Sequence, residues 1–464
     1  MKIKGFVEKY LKVIISILTA LFLLFGQGVT WYCMGGDTEA YYMEFSHHIE
    51  TKPLYSLLME GFRRLLGMDR YLYGVAVVQI LLSVVCISYF TEFIRKRLKL
   101  GIINTMIIWA LSLLPYIILL PEDVISHSLM TESITYPLIY VFVIWVLKGI
   151  YDNRIIYVYG SIVLTIILTL VRGQMLFLLA ISVVAFIFIQ IKYRNKHILV
   201  NILIFVVFLL ALVKTESILT LAYEAHFFNA PVMDYSAQTL VQKAMFCADR
   251  EDAILFKDEI TKEVFEKTID ISDQKHSNYK YMTNDLYDWK HTTDAFGDIS
   301  YTLGDVVESV AKEKGIEFKS QYDREQLVIK CSEDIAKVII YEHPDRFLKV
   351  SISMMPSGFV STVLFHKQSI YGIIHIFTLL FYVVLISGTA VLIFNRKKNE
   401  QLIRVGEYAL IVICLSVVNV VASDLVHMGL QRYQAYTLGL NWVAMWLLFV
   451  QGIEYIQQQH CLHK

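Results

Sequence analysis

The run Gly35-Gly36-Asp37-Thr38-Glu39-Ala40-Tyr41-Tyr42 puts two carboxylates two residues apart, just where the first apolar stretch of the chain ends. A carboxylate placed there can take the proton from a hydroxyl while a bond forms at an electrophilic carbon, which is general-base chemistry. Asp37 suits that role. Glu39 can assist it or, together with Asp37, offer oxygen ligands to a divalent metal ion. The plainer alternative for Asp37 is to cap a surface helix. Burying a charge beside apolar segments is costly without a use for it, and this favours the chemical reading.

Ionisable residues recur at the ends of other apolar stretches: His127, Glu132, Arg172, Asp424, His427 and Arg432. Arg172 and Arg432 are candidates to hold a phosphate, because a guanidinium stays charged and offers paired donors. Snorkelling to lipid head groups explains them equally well. Thr131-Glu132 opens a span, where the helix dipole favours an acid. His127 suits a substrate contact or a plain loop position. Asp424 and His427 stand three apart and share a helix face, so they line one cavity or cap one helix. The chain contains no Gly-rich nucleotide loop, HExxH pair or nucleophile elbow. Of six cysteines, Cys247 and Cys331 could pair, but no spacing suggests a metal knuckle.

The elements that must position these residues are membrane helices. Hydrophobic residues make up 56% of the 464 and charged ones 18%, the balance of a polytopic membrane protein. Apolar stretches long enough to cross about 30 Å of hydrocarbon fall near 11–31, 73–94, 101–121, 133–150, 155–171, 174–191, 197–213, 371–394, 404–423 and 435–455. The first is too long, and lacks the cleavage site, for a removable signal. Ten spans put every basic loop on one side: the lysines at 2, 4, 9 and 12, Arg95 to Lys99, Lys192 to Lys196, and Arg396 to Lys398. The positive-inside rule makes that side cytoplasmic, with both termini. Segment 215–369 then lies outside and carries 26 Asp+Glu against 17 Lys+Arg, so the neutral whole hides an asymmetry.

The expected fold is all-α and polytopic, with about ten transmembrane helices and a mostly helical extracytoplasmic domain. Its parts are an N-terminal membrane module at 1–214 with the chemical loop at 32–72, the external domain at 215–369, and a C-terminal membrane module at 370–464. The loop predicts two surface helices, at 41–49 and 54–62, whose Lys52, Arg63, Arg64 and Arg70 reach head groups or phosphate. Within the external segment, helical patterns run over 253–268 and 324–342 and stop at His343 before Pro344. Residues 269–300 read as an irregular loop.

Several short motifs together resemble the C-type (GT-C) membrane glycosyltransferases, the superfamily of the protein mannosyltransferases and aminoarabinose transferases. They are the acidic motif after the first span, Lys52-Pro53-Leu54-Tyr55, Leu129-Met130-Thr131-Glu132, the external Arg172, Glu342-His343-Pro344 and Gln431-Arg432-Tyr433. The resemblance covers about 1–195 and 340–460. It implies a polyprenyl-phosphate-linked sugar donor, Asp37 as base with inversion at the anomeric carbon, and Lys52, Tyr55, His127, Glu132, Arg172, Asp424, His427 and Arg432 around the substrates. The implied acceptor is an envelope glycan, lipid or protein at the outer face of the cell membrane, among membrane lipids and without nucleic acid. Asp37 and Glu39 are separated here by Thr38, where many relatives have adjacent acids.

Two rivals share the location or the composition. A polysaccharide polymerase or ligase would use a diphosphate-linked glycan at the same face. A transporter or lipid flippase commonly has repeated halves and ionisable residues near the bilayer midplane, whereas these charges gather at span ends. A purely structural membrane protein would leave that gathering without a reason.

Overall fold

A computed structural model describes residues 2–26, 32–33, 53–119, 125–193, 198–228, 236–281, 289–364, 371–394, 400–426 and 431–462. Asp37, Glu39, Lys52 and His427, and the surface helix expected at 41–49, lie outside these residues. Among the described residues the chain is all-helical without strands, and an isolated parallel bridge joins Cys33 to Ser128. The helices are α1 (Lys2–Leu21), α2 (Pro53–Leu66), α3 (Tyr71–Arg97), α4 (Ile102–Ser112), α5 (Leu114–Ile118), α6 (Glu132–Asp152), α7 (Ile155–Val171), α8 (Leu178–Tyr193) and α9 (Ile198–Phe228). They continue with α10 (Ser236–Cys247), α11 (Glu259–Gln274), α12 (Trp289–Glu313), α13 (Gln321–Glu342), α14 (Pro344–Ser361), α15 (Tyr371–Phe394), α16 (Glu400–Val426), α17 (Gln431–Gln434) and α18 (Leu438–Leu462).

Peptide groups in hydrocarbon find no water, so an apolar stretch satisfies them internally by coiling into a helix. Seven described helices are long and apolar enough to cross a bilayer: Tyr71–Arg97, Glu132–Asp152, Gly173–Tyr193, Ile198–Tyr223, Ile373–Phe394, Glu400–Val426 and Arg432–Ile453. Shorter apolar helices at Tyr10–Gly26, Ile102–Ser112 and Ile155–Val171 occupy the other three predicted stretches. The stretch at 101–121 is shorter as a helix than its apolar length because Pro115 lacks the N–H that α4 would need to continue.

The chain forms two compact units, Met1–Pro231 with Ser361–Asn419 and Ala435–Lys464, and Val232–Val360 with Val420–Gln434. The sequence suggests divisions at 214 and 370 and has the ninth and tenth spans meet at 423–433. In the structure that connection belongs to the second unit.

The first unit is held by interhelical hydrogen bonds and close backbone approaches. Asn441 on α18 donates through Nδ2 to Thr362 O at 3.0 Å and to Ser416 Oγ of α16 at 3.0 Å. Tyr140 donates to Ser112 O at 2.7 Å, tying α6 to α4. A Cβ at Gly439 would lie 2.6 Å from Tyr140 Oη and 2.9 Å from Leu111 O, so only glycine lets α18 approach there.

Helix ends sort into two sets. Arg97 and Asp152 form a paired salt bridge at 2.6–2.7 Å, Arg404 donates to Arg97 O, Tyr151 donates to Arg404 O, and Lys192 pairs with Glu407. These contacts gather one end of α3, α6, α8 and α16. The opposite ends of α3 and α6 meet the 125–131 loop and Arg172, described below.

The second unit packs α10 to α13 around Val241, Met245, Phe265, Val307 and Ile335. Cys247 and Cys331 are free buried thiols in this core, so they do not pair. The expected irregular loop at 269–300 is overturned at both ends, by α11 reaching Gln274 and by α12 starting at Trp289. Ile299, Leu303, Val306, Val307 and Val310 recur at helical spacing and bury one face of α12, a pattern masked in sequence by the Ser, Tyr, Gly, Asp and Glu residues between them.

Gly439→Ala is expected to lower the thermal midpoint of the detergent-solubilised protein, by about 1–3 kcal/mol of overpacking. Gly452→Ala, where an added Cβ meets nothing within 4 Å, should leave it unchanged or slightly raised.

Candidate functional site

The best-defined group of sequence-selected residues lies at the start of α6. Thr131 is the N-cap residue and Glu132 the first residue of the helix. The preceding loop is locked by Ser133, whose Oγ donates to both Ile125 O and Ser128 O at 2.5 Å. Arg172 is the C-cap of α7 in extended conformation, from which the chain turns into a short 3-10 helix, Gly173–Phe177.

These two helix ends meet through charge. Arg172 Nη1 lies 2.8 Å from Glu132 Oε2 and donates to Thr131 Oγ1 at 2.9 Å, while its Nε donates to Gln174 Oε1 at 3.2 Å. Thr131 Oγ1 in turn donates to Glu132 Oε2 at 3.0 Å. Glu132 is 1% exposed and Arg172 13%, so the pair is close to fully desolvated. Beside it, Thr135 Oγ1 is 3.2 Å from Tyr436 Oη, and the Tyr136 and Tyr436 rings pack tilted by 35° with centroids 4.3 Å apart.

His127 belongs to the same loop and is buried, with Nδ1 3.0 Å from Ser126 Oγ. Burial pushes its imidazole below the ordinary histidine range. At neutral pH it is therefore a neutral hydrogen-bonding group.

The segment carrying Asp37 and Glu39 is anchored at both ends to this loop. At one end, Cys33 N donates to His127 O at 2.9 Å and Leu129 N donates to Cys33 O at 3.1 Å. At the other, Tyr55 and Met59 of α2 pack with Leu129, Ile134 and Val171 in one buried cluster, which Tyr32 also joins. Tyr55 is fully buried, its hydroxyl accepting from Gln79 Nε2 at 2.8 Å. The structure thus places Tyr55 in the anchoring cluster, while Leu129 and Val171 are chain neighbours of Met130 and Arg172.

Asp424 and Arg432 belong to the second unit. Asp424 is buried, and its Oδ1 accepts from Gln434 Nε2 at 2.5 Å. Arg432 donates to Tyr433 Oη at 3.3 Å and lies 5.2 Å from that ring. Sequence reasoning missed Lys243 of α10, which is 1% exposed. It donates to the main-chain carbonyl of Asp424, near the end of α16, and to Ser351 Oγ at 3.2 Å, with the Phe347 ring 5.2 Å away. The available signal was its place on the apolar face of α10, three residues after Leu240 and four before Cys247. Burial pushes its ammonium down to about 8.

An open groove of about 1510 Å³ also runs along the second unit, lined by Leu240, Phe318, Leu327, Ile340 and Tyr341 with lysines and acids at its edge. Among the described residues no group of three or more His, Cys, Asp or Glu could hold a metal ion; Asp37 and Glu39 are outside that search.

Apolar helices of spanning length, with ionisable residues collected at their ends, define a polytopic α-helical membrane protein. Comparison with family models, with curated proteins and with solved structures finds no match to the chain.

Removing one member of the Glu132–Arg172 pair takes the ion-pair partner from a buried charge, so Glu132→Gln or Arg172→Gln should each cost about 3–5 kcal/mol of stability. The double variant should cost clearly less than the sum, and thermal melts of the four proteins measure that coupling.

Lys243 gives a pH dependence of defined sign. Its folded value of about 8 lies below the ordinary lysine value of about 10.4, and between the two the unfolded chain holds a proton that the folded chain has lost. Folding is therefore helped as pH rises from about 8 to about 10. The stability of wild type relative to Lys243→Met should increase over that window in paired melts.

Proposed function

We infer that this protein is an integral membrane glycosyltransferase that moves a sugar from a polyprenyl-phosphate carrier to a hydroxyl acceptor. It works at the extracytoplasmic face of the cell membrane, with ten spans and both termini cytoplasmic. Asp37 is the general base. As the acceptor oxygen bonds to the anomeric carbon, its proton passes to the Asp37 carboxylate. The bond from that carbon to the phosphate oxygen breaks, its electron pair leaves with the polyprenyl phosphate, and the configuration inverts. Glu39 assists the base or joins it in holding a divalent metal.

One observation carries this reading: both ends of the segment bearing Asp37 and Glu39 are seated on the loop and helix ends that hold His127, Glu132 and Arg172. Asp37 follows Cys33 by four residues, so covalent geometry keeps it within about 14 Å of the Cys33 bridge. Glu132 and Thr131 hold Arg172 in a fixed orientation, which suits a guanidinium that must meet a phosphate in one geometry. Neutral His127 serves as a hydrogen-bonding contact to the sugar. Lys52 shares the segment with Asp37, and Asp424, His427 and Arg432 follow from the resemblance as contacts to acceptor or carrier. The groove of the second unit, apolar with a charged edge, suits acceptor selection.

Purified protein is expected to release label from a polyprenyl-phosphate sugar into an acceptor, and Asp37→Asn should slow this by a factor of about 10²–10⁴ at unchanged expression. Equal transfer by the variant removes Asp37 as base. Transfer only from a diphosphate-linked glycan identifies a polymerase or ligase instead.

A further inference from the structure

The hairpin of α2 and the start of α3 carries a surface that the transfer reaction does not use. The helices pack closely through Gly74, where a Cβ would lie 2.5 Å from Leu66 and 2.6 Å from Phe62, and they turn at Gly67 with φ +77°. The inner face of α2 buries Tyr55, Ser56, Met59 and Glu60. Its outer face and the turn expose Leu54, Leu57, Leu65 and Met68, the last two at 75% and 61%. These join an exposed apolar stripe on α3 formed by Tyr73, Val77, Leu81 and Val85 at a spacing of four. A stripe of that kind on a helix of spanning length is covered by lipid, and the hairpin tip continues it beyond the end of the span.

Two arginines stand on the polar edge of the tip. Glu60, 6% exposed, accepts from Arg63 Nε at 2.5 Å and from Arg64 Nε at 2.7 Å. The hydrogen bond from Arg63 holds the Glu60 carboxyl below the usual carboxylate range, so the anchor is an anion. One buried carboxylate thus fixes two guanidiniums side by side through their Nε atoms, and Arg64 remains 73% exposed. Among the described residues its Nη donors are left for an acceptor from outside. Arg70 adds a third cation at the turn. Apolar side chains ready for insertion, next to paired guanidiniums, match a phosphate at the head-group level.

We propose that the α2–α3 hairpin is a binding site for the phosphate of an anionic glycerophospholipid, taken up by Arg63 and Arg64 while Leu65 and Met68 insert beside the acyl chains. The site would fix the first loop at the membrane surface, and it stands whether or not the protein transfers sugar.

The test uses the full-length protein in a neutral detergent, titrated with short-chain phosphatidylglycerol, phosphatidylcholine or inorganic phosphate, with the thermal midpoint and native mass spectra as readouts. Phosphatidylglycerol should raise the wild-type midpoint and remain bound in the spectra, while phosphatidylcholine should do neither. The double variant Arg63→Gln/Arg64→Gln should weaken the apparent affinity about 30-fold, and the milder Arg64→Gln, which leaves Arg63 on Glu60, about 5-fold. Arg250→Gln, on the second unit, should change nothing. An undiminished affinity in a folded Arg64→Gln, equal effects of the two lipids, or an equal shift from inorganic phosphate would each overturn the proposal.

Discussion

An unpaired peptide group in hydrocarbon costs several kcal/mol, and the whole arrangement follows from that constraint. It turns each apolar stretch into a helix and leaves side chains as the only means by which helices can recognise one another. Among the described residues those means are small and local: a glycine where α18 meets Tyr140, an asparagine shared by α15, α16 and the end of α14, paired serines between α7 and α8. It also pushes ionisable groups to helix ends, where they need one another. Arg97 finds Asp152 at one set of ends, and Arg172 finds Glu132 at the other. Charges that are tolerable singly at an interface become, in pairs, the ties between helices.

The described residues on either side of the Asp37 segment are held by apolar contact and main-chain bonds. Cys33 is attached to the 127–129 backbone through its own backbone, independently of its side chain. Tyr55 and Met59 are attached through burial in a cluster that includes Leu129 and Val171.

How much of this was legible in the sequence differs by residue. The seven described helices of spanning length announced themselves through length and hydropathy, and the N-terminus of α6 through Thr131-Glu132. The early stop of α4 was readable too, since Pro115 stands inside the apolar run. Partners were not legible. Nothing in the order of residues says that Arg172 meets Glu132 rather than a head group, because that choice is made by packing between α6 and α7. Lys243 was missed because a single lysine among apolar neighbours normally snorkels, and only the fold shows it enclosed by Ser351, Phe347 and the end of α16. The helix at 289–313 was hidden by a polar face rich in turn-forming residues, although its buried face had the right period.

Two of the buried charge arrangements, at Lys243 and at Glu132–Arg172, are differently placed to matter. Lys243 satisfies a carbonyl in the last turn of α16, one of the acceptors that every helix end leaves open, so its charge has a use within the fold. Glu132 and Arg172 are joined by an ion pair, and an apolar pair of similar volume could often replace such a tie at no loss of stability. What an apolar pair could not do is hold a guanidinium in one orientation. Thr131 and Gln174 add donors and acceptors that fix it further. What the ion pair contributes that an apolar pair would not is therefore orientation, and Glu132 and Thr131 act on Arg172 as positioning groups.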